Sequence, residues 1–242
     1  MKYAILADIH ANLEALNVCL EATRGVDGYI CPGDIVGYGP NPNECVEIIR
    51  GLKSKIVAGN HDRVVAGQLD INAFSREAAS AAEWTRKIIT GINLKYLEEL
   101  PEYIEDNDFE MVHGSLRDPL EEYISSISEG IPTIELMKKK LCLVGHLHIP
   151  LVITKEPKSE YDGWQLADGD VVKTSEFDKT IINVGSVGQP RDMDSRASFG
   201  IYDTAAKTIE IRKVVYNISA VQEKMRKSDL PDFLVERLSF GR

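Results

Sequence analysis

The 242-residue sequence predicts an α/β fold built as one compact unit. Three observations predict it. A strand, a polar turn and a helix recur three times between residues 3 and 62, the cadence of a parallel sheet with flanking helices. The last third of the chain is mainly β-patterned. No internal repeat, low-complexity tract or linker divides the chain.

Taken in order, Tyr3-Ala4-Ile5-Leu6-Ala7 is a continuous apolar run that suits a strand covered on both faces, and it ends at Asp8-Ile9-His10. Asn12 can cap a helix through Cys19 or beyond. Gly28-Tyr29-Ile30-Cys31 is a second strand, ending at Asp34, and Pro42 to Arg50 is a helix with Gly51 just past its end. Lys55-Ile56-Val57-Ala58 is a third strand, running into Gly59-Asn60-His61-Asp62. Ser75 to Ile89 and Leu94 to Leu100 read as helices, the second stopped by Pro101. Asp106-Asn107-Asp108 then separates two strands in a hairpin that delivers His113-Gly114-Ser115. Pro132 to Lys140 reads as a helix whose Lys138-Lys139-Lys140 run suits the negative end of the helix dipole. Leu141-Cys142-Leu143-Val144 is a buried strand leading to Gly145-His146-Leu147-His148. Strands follow at Leu151–Ile153, Thr180–Asn183, Ala197–Tyr202 and Ile209–Lys213, and helices at Ser219–Arg226 and Pro231–Leu238.

Composition narrows the function classes. With 43% hydrophobic and 27% charged residues the chain is globular rather than disordered. A formal net charge of -10 repels polyanions, which argues against duplex nucleic acid or an anionic membrane surface as partner. Cys19, Cys31, Cys45 and Cys142 show no C-x-x-C spacing and read as reduced core thiols. An acidic residue follows the first apolar run too early for a signal peptide, and no run is long enough to span a membrane, so a cytoplasmic protein is expected. An oligomer paired through the terminal helices is compatible with this pattern, and so is a monomer that they close.

All five histidines, at positions 10, 61, 113, 146 and 148, fall just after apolar runs, alongside Asp8, Asp34 and Asn60. One such histidine is ordinarily a hydrogen-bonded structural residue. Five gathered with two carboxylates and an amide point to metal ligation instead, and an imidazole and oxygen donor set without thiolates favours Mn, Fe, Zn, Co or Ni over a structural zinc site. Asp34, between glycines at a strand end, is placed to offer one oxygen to each of two cations.

The ordered motifs Asp-x-His, Gly-Asp, Gly-Asn-His-Asp, His-Gly and Gly-His-x-His, spread over residues 3 to 188, resemble the calcineurin-like metallophosphoesterase superfamily, in its small prokaryotic-type phosphodiesterase branch. The resemblance implies an α/β sandwich: two mixed β-sheets packed face to face with helices outside. It implies one domain over residues 1–242, with a helical insertion at about 68–100 beside the site mouth. It also implies two divalent or trivalent transition-metal ions, manganese first among them. One would be held by Asp8, His10, Asp34 and His148, and the other by Asp34, Asn60, His113 and His146. Such a pair activates a bridging water for in-line attack on a phosphoester. His61 is left over from the ligand count and can protonate the leaving oxygen, and Asp62 can orient the His61 imidazole and hold it protonated.

The expected activity is hydrolysis of a phosphodiester or phosphomonoester bond in a small, nucleotide-type substrate. The competing reading is a scaffold of the same fold that binds metal or nucleotide without turnover. Asn12 reads as a helix cap or as a substrate ligand. Arg191 and Arg196 follow the Asn183-Val184-Gly185-Ser186 segment and can fork onto a second phosphate or serve the fold. Arg63 can meet phosphate or form a surface ion pair. Trp84 and Trp164 can stack on a base, Trp84 more simply belonging to the core.

Overall fold

The computed structural model describes residues 1–158 and 160–242. Two six-stranded mixed sheets pack face to face with helices outside, the α/β sandwich expected above. In the first sheet β1 (Lys2–Ile5), β2 (Gly28–Cys31) and β3 (Ser54–Ile56) are parallel, and the antiparallel strands β11 (Ala197–Asp203), β12 (Thr208–Val214) and β9 (Val171–Lys173) extend it, in the order β3-β2-β1-β11-β12-β9. In the second, β5 (Glu110–Val112), β6 (Leu141–Val144) and β10 (Lys179–Val184) are parallel. The antiparallel β4 (Tyr103–Glu105), β7 (Pro150–Lys155) and β8 (Tyr161–Gln165) complete the order β4-β5-β6-β10-β7-β8.

The period-2 alternation of the strands makes the layers. Ile30, Leu141, Leu143, Ile209 and Ile211 meet between the sheets with Ile5, Phe109, Met111 and Tyr202. Their neighbours Cys142 and Val144 face the other way, onto α6 (Ile127–Leu136). On the outer face of the first sheet lie α1 (Leu13–Ala22), α2 (Pro42–Gly51), α3 (Asn60–Val65), α4 (Arg76–Ile88), α5 (Gly91–Glu98), α7 (Ile218–Lys227) and α8 (Asp232–Arg237). The four cysteines are buried and unpaired. No helix among the described residues is long and apolar enough to cross a membrane.

Three expectations change. The predicted helix at Pro132–Lys140 is observed at Ile127–Leu136, capped by Ser126, and it contains Pro132. The Lys138-Lys139-Lys140 run therefore lies beyond the helix. The backbone amides of Lys138 and Lys139 donate to buried Glu110, at 2.7 and 2.8 Å, and that bonding ends the segment. Strands β8 and β9 have no counterpart in the sequence reading, because Tyr161-Asp162-Gly163-Trp164-Gln165 carries no apolar run and forms by edge pairing to β7. Trp164 is exposed on that edge, whereas Trp84 packs partly buried against the helical layer.

The parallel strands β1, β2, β3, β5 and β6 all end at one edge of the sandwich. Their C-terminal turns carry the polar residues singled out above, as expected where open parallel sheets present side chains. The turns are laced together: Asp8 N–H donates to Gly33 O, His10 N–H to Asp34 O, Gly145 N–H to His113 O and Gly188 N–H to Asp8 O. These bonds place residues far apart in sequence within one buried floor.

Candidate metal centre

Asp8, His10, Asp34, Asn60, His113, His146 and His148 converge, and all are at least 93% buried. Two groups of their possible ligand atoms lie within 4.8 Å of one another, Asp8 with His10 and His148 and Asp34 with His113 and His146, and a third joins His10 and Asp34 to His61. The backbone is bent to achieve this. Asp8, His10, Asp34, His146 and His148 all have positive φ, between 47° and 69°. For non-glycine residues each such conformation costs about 1–2 kcal/mol, and it persists only where surrounding bonds fix it. Glycine is required where the turns touch. A Cβ on Gly33 would lie 2.7 Å from Gly59 N and 2.9 Å from His113 Nδ1, and a Cβ on Gly59 would collide with the Asp34 carboxylate.

Hydrogen bonds to carbonyls fix the histidine tautomers. Nδ1 of His10, His113 and His148 lies 3.1, 2.8 and 2.7 Å from the carbonyl oxygens of Val36, Pro32 and Gln189, so each donates there and keeps its lone pair on Nε2. His146 is reversed, donating from Nε2 to Glu121 O at 3.2 Å. The lone pairs of His10 and His148 thus face each other at 3.0 Å, and that of His113 Nε2 takes up a proton between His146 Nδ1 at 3.1 Å and Asp34 Oδ2 at 3.3 Å. Opposed lone pairs repel unless a proton or a cation lies beside them. Asn60 Oδ1 is 3.2 Å from His113 Nε2.

The carboxylates supply the remaining donors. Asp8 Oδ1 accepts the His146 amide and Asp34 Oδ1 the His61 amide, while Asp8 Oδ2 and Asp34 Oδ2 are buried without any partner. An unpaired buried carboxylate oxygen is costly unless a cation compensates it. Asp34 Oδ2 lies 3.6 Å from His10 Nε2 and 3.3 Å from His113 Nε2, between the two histidine pairs. Of the two Asp34 oxygens, Oδ1 already accepts a backbone N–H and Oδ2 has no hydrogen-bond partner. This donor set fits divalent first-row ions.

Electrostatics agree with cation binding. Burial holds His10, His146 and His148 below the ordinary imidazole range, so they are neutral near pH 7. Burial also lowers His113, but the Asp34 charge, with Oδ2 3.3 Å from Nε2, outweighs it and pushes His113 up to about 9. Burial would raise the Asp34 carboxyl, but the surrounding histidines, His113 first, hold it well below the usual range. A metal ion must displace the His113 proton. Below pH 9 that proton is already bound, so apparent metal affinity should fall by up to tenfold per unit as pH drops from 9. Chelator competition at pH 6, 7 and 8 measures this. An affinity independent of pH over that range would contradict it.

His61 stands at the rim in an aromatic box, its ring centroid 4.9 Å from His10, 4.4 Å from Tyr38 and 4.5 Å from Phe74. Burial lowers it to about 4 despite Asp34 nearby. Its Nδ1 is buried without a hydrogen-bond partner. The expected partnership with Asp62 is not found. Asp62 Oδ1 accepts the amides of Ile35 and Val36 at 3.0 and 3.1 Å, and Oδ2 that of Gly59 at 3.0 Å. Asp62 splints the Asp34 and Asn60 turns together. It neither orients His61 nor holds it protonated.

The remaining sequence candidates separate cleanly. Asn12 caps α1 through Ala15 N and donates to Gly188 O, the helix-cap role of the two readings above. Ser186 Oγ donates to Asp8 O, so the Asn183–Ser186 segment braces the first ligand turn. Arg63 is spent on the carbonyls of Leu97, Glu98 and Leu100, on Gln68 and on Glu102. Arg196 is corrected to a structural residue, its guanidinium held by Asp194 and Asp168. Arg191 does reach the cleft of about 380 Å³ above the cluster, whose walls include Asn60, His61, Phe74, Tyr123 and His146. Arg237 reaches the same cleft and was not anticipated. Its only signal in the sequence is a lone arginine on a short helix, which reads as surface charge.

A family model for the calcineurin-like phosphoesterase superfamily domain matches residues 1–207. An uncharacterized protein of Methanocaldococcus jannaschii is 42% identical over 246 residues, covering 99% of this chain and 98% of that protein. Among solved structures, a metallophosphoesterase from Sphaerobacter thermophilus superposes with a TM-score of 0.91 at 40% identity, covering 100% of both chains. A hypothetical protein from Pyrococcus horikoshii superposes with a TM-score of 0.82 at 21% identity over 100% of this chain and 98% of that one, a likeness of fold.

Proposed function

The chain belongs to the calcineurin-like phosphoesterase superfamily, and from that premise we propose that it is a metal-dependent phosphoric ester hydrolase. Its substrate would be a small phosphorylated compound, attacked directly by water. The observation that carries this reading is the two histidine pairs brought together through their ring nitrogens, with Asp34 Oδ2 between them and without a hydrogen-bond partner, on the floor of an open cleft. Asp8, His10, Asp34 and His148 would hold one ion, and Asp34, Asn60, His113 and His146 the other. Manganese is the first candidate. When bound, such ions supply positive charge to a phosphoryl group and acidify a water molecule.

The protein's own groups do the rest. Carbonyl bonds lock the histidine rings, so the donor atoms need no rearrangement when substrate arrives. Neutral in the free protein, the His61 ring gains proton affinity when an anionic ester enters the cleft. Once protonated it can give that proton to the leaving oxygen. Tyr38 and Phe74 exclude water from the ring and fix its plane.

The test is metal-dependent release of nitrophenol from bis(p-nitrophenyl) phosphate and p-nitrophenyl phosphate by protein loaded with Mn or Co. Turnover that disappears with chelator is expected. Absence of turnover on both, and on a panel of nucleotides, would favour the scaffold reading. Asn60→Ala should lower bound metal from about two ions towards one, emptying the pole beside His113 and His146 first. Mass-spectrometric metal counting checks this, and loss of both ions together would contradict separate poles.

A further inference from the structure

Two guanidinium groups stand over the same cleft, supplied by parts of the chain far apart in sequence. Arg191 comes from the segment after β10, where its backbone amide donates to His148 O at 3.1 Å. Arg237 comes from the end of α8, which lies beyond the residues matched by the family model. A backbone bond from Met193 N–H to Gly241 O at 2.9 Å joins the two segments. Helix α8 is anchored by buried Leu234, Val235 and Leu238, so Arg237 is held by a packed element rather than a free tail.

Neither arginine pairs with an Asp or Glu side chain among the described residues, whereas Arg63, Arg117, Arg196 and Arg212 each do. Arg191 donates only to Tyr38 Oη and Gln189 Oε1, and its Nε is buried without a partner. Arg237 donates from Nε to the carbonyl of Arg242. Two half-buried cations facing one cleft, in a chain of net charge -10, are unfavourable unless an anion joins them. Burial first, and then the charge of Arg191, lower Arg237 to about 10. Glu121 also borders the cleft, but it forms no ion pair with either arginine among the described residues.

We propose that Arg191 and Arg237 form an anion subsite beside the metal centre that takes a second phosphoryl group, so that the preferred substrate is a phosphoric ester carrying at least two phosphates. The assignment rests on the hydrolase reading for the identity of the substrate, but not for the existence of the subsite. Guanidinium forks match phosphate oxygens in pairs, which a single phosphate held at the metal centre would leave unused. A diphosphate-bearing nucleotide has the chemistry to engage both places at once.

Two measurements test this. Titration calorimetry of chelator-treated protein with inorganic phosphate should show binding that weakens at least tenfold in Arg237→Gln and Arg191→Gln. Arg237→Lys should fall between, since it keeps the charge and loses the fork. In the Mn-loaded protein, ADP should inhibit hydrolysis of bis(p-nitrophenyl) phosphate at least tenfold more strongly than AMP, with free metal held constant. That preference should shrink towards unity in Arg237→Gln. Equal phosphate affinity in wild type and both glutamine variants, or an ADP preference unchanged by substitution, would overturn the proposal. If Arg237→Gln lowers the melting temperature, Arg237→Lys and Arg191→Gln carry the comparison. Phosphate binding that depends on the arginines in a protein that hydrolyses nothing would uphold the subsite while refuting the hydrolase.

Discussion

His61→Ala is expected to slow turnover of bis(p-nitrophenyl) phosphate by about 10²–10⁴ while leaving bound metal close to the wild-type level. The ring is the one cluster histidine whose nitrogens make no hydrogen bond, and its sealed Nδ1 leaves Nε2 as the working atom. Its removal leaves both facing histidine pairs and both carboxylate oxygens that lack a hydrogen-bond partner untouched. The rate loss should appear in kcat more than in KM, because the proton is needed only as the leaving oxygen departs. The ligand atoms of His10, Asp34 and His61 also lie within 4.8 Å of one another, so a role for His61 as a ligand makes a distinct prediction. If the alanine variant loses an ion, His61 is a ligand and the proton-transfer assignment fails.

Asp34→Asn should abolish binding of both ions and reduce hydrolysis to the level of metal-stripped protein, while the fold survives. The amide oxygen can keep accepting the His61 backbone N–H in place of Oδ1. The amide nitrogen would replace Oδ2, presenting a neutral donor where a shared anionic ligand is needed. That donor can hydrogen-bond to the lone pairs of His10 or His113, 3.6 and 3.3 Å from the position of Oδ2. The change also removes a buried charge. Wild type should be stabilised on adding Mn, as binding to the native state requires, whereas the melting temperature of the variant should not respond to Mn. Retention of one tightly bound ion would show that Asp34 is not shared.

The converging positions were legible because each is a polar side chain immediately after a buried apolar run, and parallel strands deliver such residues to one edge. Asp8, Asp34, Asn60, His113 and His146 need only that rule to be brought together. The positive φ values of Asp8, His10 and Asp34 were not legible, since they arise from hydrogen bonds between turns far apart in sequence. Asp62 misled for a related reason: adjacency to His61 suggested a contact, but the first turn of α3 aims its carboxylate at the amides of Gly59, Ile35 and Val36. Arg191 and Arg196 looked equivalent, and only the positions of Asp168 and Asp194 separate them. Edge strand β8 carries too little apolar pattern to be seen without its partner β7. Helix α8 was visible as an element, but the cleft it reaches into is formed by tertiary packing alone.

Anomalous diffraction at the metal edge from crystals of Mn-loaded protein tests the central assignment most directly. The account predicts two peaks about 3.5–4 Å apart, one beside His10 and His148 and the other beside His113 and His146, with Asp34 Oδ2 between them. A single peak, or ions bound away from these histidine pairs, would contradict it.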